Sequence, residues 1–469
     1  MVNRRHGHRT ELQPSTAPAA VDEVHSPQPR SRSRSRAESA GVSHLGVRSI
    51  PRSIFKPLQA CTHRRGRDHA RWGRRKEERD VLRRRWVCAK ENPCFSFTDK
   101  FVMMSYNILG VHNASQHPDL YCSVLSKYLN WDYRQRLILQ EINHYHPSIL
   151  CLQEVDHFED LDNALQEDGF SGAFKARTGD ACDGCAIFWK KERFTLLHQE
   201  HIEFWRYGLN NNVAQFCLLQ IRSNQSGSGP STPYSKESTS CGNLLVGNIH
   251  VLFNPKRGDI KLGQIRLFLK KAHDLAEEWG RIPIILAGDF NSLPQSALFQ
   301  LMSSPKLDVL RHDRRRISGQ FGTPLTTFQT QRQGFFSSKA HAYKWNDEEL
   351  RLATGNEQVT TLHNDLQLCS AYAKISGDLR TRDDLGEPLV TSYHSKFMGT
   401  VDYIWHTAEL HPLRVLDTLP VNVFRKMRGL PNKQCGSDHL SLVCEFAISD
   451  KANDEKVVPR PASIENGKR

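Results

Sequence analysis

An α/β fold, with two packed mixed β-sheets flanked by helices as a four-layer α-β-β-α sandwich, is what this 469-residue sequence predicts. Three observations predict it. From Phe97 onward, short apolar runs recur between turn residues, and runs that lack strict alternation suit strands buried on both faces. Two longer segments carry apolar residues at helical spacing instead, so helices are interleaved with the strands and cover two sheets. Charge is also divided unevenly: residues 1–90 hold 22 Lys and Arg against 8 Asp and Glu, whereas the remainder holds 42 against 43. A nearly neutral body behind a basic segment favours one large domain with appendages over several average ones.

The elements follow in order. Residues 1–96 are expected to be a disordered Arg/Ser-rich extension, with "RSRSRSR" at 30–36, "RRGRDHARWGRRK" at 64–76 and "RRR" at 83–85. Too few aliphatic side chains separate these clusters to offset the entropy of ordering. Arg-rich clusters of this kind either serve nuclear import or polyanion binding or form a solvated tail of no specific role; nucleus and cytoplasm are the expected locations. Glu11, Asp22, Glu23 and Glu38 make the segment less acid-poor than an organelle transit peptide.

The expected catalytic domain covers 97–449. Strands are predicted over 101–109, 148–155, 184–190, 194–204, 214–222, 244–253, 282–290, 401–407 and 440–446. A helix over 131–145 places Leu137, Ile138 and Ile142 on one face. A second, over 261–280, uses Ile265, Leu267, Leu269 and Leu275 and stops at Gly280. Low-complexity loops are expected at about 223–243 and 330–360, and a charged, loose tail at 450–469. No 18-residue apolar run occurs, which excludes a transmembrane helix. The twelve cysteines are scattered through apolar runs and read as free thiols of a reducing compartment. Cys182 and Cys185 lack a second pair or histidines at zinc spacing, so they read as structural.

The chemistry collects at strand ends. "VMMSYNILG" supplies Asn107, "ILCLQEVD" Glu154, "LLVGNIHV" Asn248 and His250, "IILAGDFN" Asp289 and Asn291, "TVDYIW" Asp402, and "CGSDHLSL" Asp438 and His439. Singly, each reads as a cap, a turn or a satisfied core histidine. Jointly they form a set of carboxylates, amides and histidines without cysteine. That set suits Mg²⁺, a hard cation that takes oxygen ligands and assists phosphoryl transfer, singly or as a pair of ions. Phosphoryl transfer needs mostly positioning and charge stabilisation.

Seven ordered motifs, "MSYNILG", "LCLQEVD", "DGCAIFWK", "NIHVLFNPKRGDIKLGQ", "AGDFNS", "VDYIW" and "SDHL", resemble the endonuclease/exonuclease/phosphatase superfamily. Within it the sequence is similar to the carbon catabolite repressor protein 4 deadenylases and their Angel-like relatives, in the plant type without leucine-rich repeats. The resemblance implies Mg²⁺, as two ions, with Glu154, Asn107 and Asp438 on the metal side. It implies that His439 contacts the scissile phosphate, that Asp402 orients His439, and that Asp289 handles the attacking water. Asn291 and His250 would face the phosphate. Pro255 and Phe397 fall where deadenylases clasp an adenine, and Lys256 and Arg257 would hold backbone phosphates. Ser441 stands where the family usually has proline, which implies altered strand packing.

The expected function is a 3′→5′ exoribonuclease that shortens messenger-RNA poly(A) tails and releases 5′-AMP. "NPKRGDIKL", "ISGQ" and "GLPN" look Angel-like, which keeps an RNA-end 2′,3′-cyclic phosphatase as the alternative. A catalytically silent RNA-binding adaptor is the third. The expected partner is single-stranded RNA with a 3′ poly(A) tail, and no membrane. Without leucine-rich repeats, association with a deadenylase complex would have to use the tail or a loop.

Overall fold

A computed structural model describes residues 83–90, 99–222, 242–320 and 343–448. The expected disorder at 1–82 and 91–96, nearly all of the 223–243 loop, positions 330–342 of the second loop and the C-terminal tail lie outside the described residues.

Two sheets carry the architecture. The first has seven strands in the spatial order Trp86–Cys88, Leu410–Leu416, Leu442–Ile448, Lys100–Asn107, Ile149–Gln153, Gly184–Lys190 and Phe170–Ala176. The second has six: Cys369–Ser370, Asp402–His406, Ile284–Asp289, Asn243–His250, Val213–Ile221 and Phe194–Glu203. All neighbours are antiparallel except one pair near the middle of each sheet. Lys100–Asn107 runs parallel to Ile149–Gln153, and Asn243–His250 parallel to Ile284–Asp289. Parallel neighbours end at the same edge of their sheet, so each sheet brings two carboxyl-terminal strand ends together.

The lack of polar alternation has a direct cause. Along Ile284–Asp289, Ile285 and Ala287 pack between the sheets with Met103, Ile149, Cys151 and Val246. Ile284 and Leu286 face outward onto the helix Gly258–Glu278 through Ile265, Phe268 and Leu269. On the first sheet, Met104, Leu150 and Leu152 face outward onto the helices Trp131–Tyr145 and Phe158–Glu167. Each central strand thus has two buried faces, and the layers are helix, sheet, sheet, helix as expected. Phe268 is fully buried whereas Leu267 is only partly so, which corrects the predicted apolar face of the second helix by one position.

Polar bonds fix the two sheets against each other. Gln153 Nε2 donates to Asn248 Oδ1 across the sandwich at 2.8 Å, and Asn248 Nδ2 donates to the Leu152 and Ala186 carbonyls, each at 2.9 Å. Asn248 is therefore a brace between sheets.

Two boundaries differ from expectation. Residues 83–90 belong to the fold: Trp86–Cys88 pairs with Leu410–Leu416, and the Arg84 guanidinium donates to the Asp417 and Leu416 carbonyls, to Ser441 Oγ at 3.1 Å and to Glu141 Oε1 at 3.5 Å. The Arg run that suggested a solvated tail supplies a buried ion pair. Within 330–360, Asp347–Thr354 is a helix rather than a loop. Asn346 and Glu349 form a capping box, and Leu350, Leu352 and Ala353 are buried. Among the described residues, no helix is long and apolar enough to cross a membrane.

Candidate active site

Strand pairing lines up the first three groups. Asp289 is in register with His250 on one neighbour and with Asp402 on the other. Successive strands thus place a histidine and two carboxylates side by side at one edge of the second sheet. Gly288 makes the approach possible: its φ is +145°, and a Cβ there would lie 1.9 Å from the Ile249 carbonyl oxygen. The chain then turns sharply. Asn291 has φ 45°, with its N–H donating to Asp289 Oδ1 at 2.8 Å and its carbonyl accepting from the buried Lys261 Nζ at 2.7 Å. Asn291 Nδ2 is held by the Val251 carbonyl at 2.9 Å and by His250 Nε2 at 3.2 Å. Phe290 turns into the outer core against Tyr403.

The first sheet contributes Asn107 and Glu154. Glu154 follows its strand directly and has φ 56°, a conformation rare for a residue with a Cβ and common at functional sites. Its Oε2 accepts from the Gly110 N–H at 3.0 Å and Asn113 Nδ2 at 2.9 Å. Asn107 Nδ2 lies between Glu154 Oε1 at 2.9 Å and Asp289 Oδ2 at 3.1 Å, while its Oδ1 is engaged by the Leu109 N–H. One amide therefore ties the carboxylates of the two sheets together.

The turn before Leu442–Ile448 completes the set. His439 Nδ1 pairs with Asp402 Oδ2 at 2.8 Å, and its Nε2 lies 3.8 Å from Asp289 Oδ2. Asp438 Oδ2 accepts from Tyr121 Oη at 2.9 Å. Burial works against a charged His439, yet Asp402, Asp438 and Asp289 outweigh it and hold its pKa well above the ordinary imidazole value. A charged ring donates from both nitrogens. Burial, then the Asp402 charge, pushes Asp289 up to about 7. Burial brings His250 down to about 4, and Lys261 down to about 7.

These side chains open onto a cleft of about 720 Å³ lined by Glu154, His250, Asp289, Asn291, Asp438, His439, Pro255 and Phe397. Asn107 and Asp402 sit behind that floor as orienting groups. Lys256 and Arg257 are not among the residues that line the cleft, and the Arg257 guanidinium donates to the Asp259 carboxylate at 2.8 Å. Sequence reasoning missed Asn113, Tyr121, Arg177, His394 and Lys396 on the walls. Asn113 and Tyr121 lie directly after the first motif, in "VHNASQHPDLY", and His394 and Lys396 directly before Phe397, in "YHSKF".

The donor set fits a hard divalent cation. Asp289, Asp402 and His439 offer three atoms within 4.8 Å of one another, and the buried Asp438 Oδ1 and Asp402 Oδ1 have no hydrogen-bond partner. No thiol takes part; Cys182 and Cys185 are both free.

Carboxylates and histidines delivered by strand ends to a cleft between two such sheets define a phosphoester-hydrolase fold and site, and the sequence profile of the Endonuclease/Exonuclease/phosphatase family matches residues 104–439. The chain belongs to that family. Within it, the chain lies in the branch of carbon catabolite repressor protein 4 and Angel proteins: it is 50% identical over 372 residues to carbon catabolite repressor protein 4 homolog 5 of Arabidopsis thaliana, covering 78% of this chain and 81% of that one. It is 32% identical over 389 residues to protein angel homolog 2 of Danio rerio, covering 75% and 65%. A crystal structure of ANGEL2, described as a 2′,3′-cyclic phosphatase, in complex with adenosine-2′,3′-vanadate, superposes with a TM-score of 0.62 at 31% identity, over 78% of this chain and 99% of that one.

Proposed function

We propose that the chain is a Mg²⁺-dependent 3′→5′ exoribonuclease that shortens messenger-RNA poly(A) tails and releases 5′-AMP. The observation supporting this reading is that Pro255 and Phe397 line the same cleft as Glu154, Asp289 and His439. A ring face beside the reacting groups can hold the base of a 3′-terminal nucleotide.

The residues divide the work. Glu154 and Asp438 would hold Mg²⁺, with Asn107 fixing the Glu154 carboxylate. Mg²⁺, when bound, polarises the phosphoryl oxygen and neutralises the leaving oxygen. Asp289 accepts a proton from the attacking water. His439, clamped through Nδ1 by Asp402, presents Nε2–H to a non-bridging phosphate oxygen, where developing charge is stabilised most. Asn291 and His250 face that phosphate from the other strand ends. The working locations are nucleus and cytoplasm, and the partner is single-stranded RNA.

The likeness to ANGEL2 favours a second reading, an RNA-end 2′,3′-cyclic phosphatase using the same water and the same phosphate clamp. Incubating the chain and Mg²⁺ with one RNA ending in an adenosine run and one ending in a 2′,3′-cyclic phosphate separates the two. Release of 5′-AMP from the first supports the exoribonuclease. An intact first RNA beside a decyclised second one replaces it with the phosphatase.

A further inference from the structure

The cleft has more aromatic surface than one clasped base uses. Phe253 is 50% exposed and lines the cleft, two residues before Pro255. Its ring lies against His117, centroids 6.0 Å apart and planes inclined at 36°. His117 also lines the cleft. From His117 the chain passes through the 3₁₀ turn Pro118–Leu120 to Tyr121. Tyr121 contacts His394 at 6.4 Å, and His394 contacts Phe397 at 5.9 Å. Phe253, His117, Tyr121, His394 and Phe397 thus all line the cleft, Phe253 and His117 exposed, Tyr121 and His394 buried.

The arc is held together as one piece. The Ser395 N–H donates to the Leu120 carbonyl at 3.1 Å, Ser395 Oγ donates to the Asp119 carbonyl at 2.9 Å, and Lys396 pairs with Asp119. These bonds join the turn that carries His117 to the hairpin that carries Phe397. The ring contacts fall into two groups, Phe253 with His117 and Tyr121 with His394 and Phe397, and this suits two bases splayed apart along a single strand.

We infer that Phe253 and His117 form a second base-stacking platform, which takes the nucleotide next to the one held by Pro255 and Phe397. The inference rests on the RNA reading above. It makes the substrate a single-stranded RNA end of at least two ordered nucleotides, read by its ring faces rather than by base edges.

The test uses the full chain and an RNA ending in an adenosine run, with one abasic nucleotide placed in turn at each of the last four positions. Binding is read by fluorescence anisotropy on the Glu154→Gln variant, so the result does not depend on turnover, and KM and kcat are read on the chain with Glu154. Two adjacent positions should be sensitive to base removal. Adding Phe253→Ala should abolish sensitivity at one of them, weaken the intact RNA by at least about fivefold, and place the loss in KM. Phe253→Trp should restore it, and His117→Ala should weaken the same position. Phe253 is half exposed, and unchanged thermal melting verifies the fold of each variant. A single sensitive position, or a Phe253→Ala variant with the parental abasic pattern, overturns the inference. Absence of RNA shortening by the parental chain overturns only the exoribonuclease reading, and the anisotropy pattern still decides the platform.

Discussion

His439 and Ser441 stand two residues apart in the chain and belong to buried polar clusters of opposite character. Around His439, the carboxylates of Asp289, Asp402 and Asp438 crowd two histidines, and Asp402 Oδ1, Asp438 Oδ1 and His250 Nδ1 have no hydrogen-bond partner. Around Ser441 the groups are matched: Ser441 Oγ donates to Glu141 Oε1 at 2.7 Å and accepts from Arg84, whose remaining nitrogens go to the Leu416 and Asp417 carbonyls. Proline at that position could do neither, so Ser441 is part of how Arg84 and the strand Trp86–Cys88 are anchored. One cluster leaves polar atoms for a cation and a phosphate, at a cost in folding energy. The other satisfies its atoms and fixes strands.

The largest expected effect breaks the first cluster alone. Asp289→Asn should lower kcat by about 10³-fold or more, in the range expected for losing a positioned proton acceptor. Thermal melting should stay equal or rise, because one crowded carboxylate is gone. Parallel kinetics and calorimetry measure both. Arg84→Met should do the reverse. Leaving Glu141 buried without its cation costs about 3–5 kcal/mol, read as a shift in urea midpoint, while kcat of the folded fraction changes little. Combining it with Glu141→Leu should recover most of that loss.

A third buried acid sharpens the contrast. Glu387 is fully buried, and burial pushes its pKa up to about 8 from an ordinary value near 4.5. Its stabilising neutral form is intact below pH 4.5, and the contribution fades as pH rises through 8. Between pH 4.5 and pH 7 this removes on the order of 3 kcal/mol. Glu387→Gln should abolish that slope, measured by denaturant titration across pH 5–8. The smallest effect is Ser441→Ala, about 1–2 kcal/mol, because it removes one bridging hydroxyl from a buried pair.

The nine predicted strands and both predicted helices are present because each carries a strong local signal. Apolar runs such as "IPIILAG" permit little but a doubly buried strand, and Ile265 and Leu269 recur at helical spacing. What escaped was structure whose signal is tertiary. Trp86–Cys88 follows three arginines, and only the partner Glu141, distant in sequence, turns Arg84 from a solvated charge into a buried one. Phe170–Ala176 and Leu410–Leu416 are half-buried strands without a continuous apolar run. The site was legible as a set of residue types at strand ends, because metal and phosphate chemistry restricts which side chains serve. Its arrangement was not. Nothing local says that Asn107 ties Glu154 to Asp289, that Tyr121 holds Asp438, or that Arg257 is taken by Asp259.

The central claim, that the unmatched cluster is a cation-assisted phosphodiester site, is tested most directly by 5′-AMP release from a 3′-adenylated RNA. The chain should release it with Mg²⁺ and stop on chelation, and Glu154→Gln should bind the same RNA yet release none. An undiminished rate in Glu154→Gln would contradict the account.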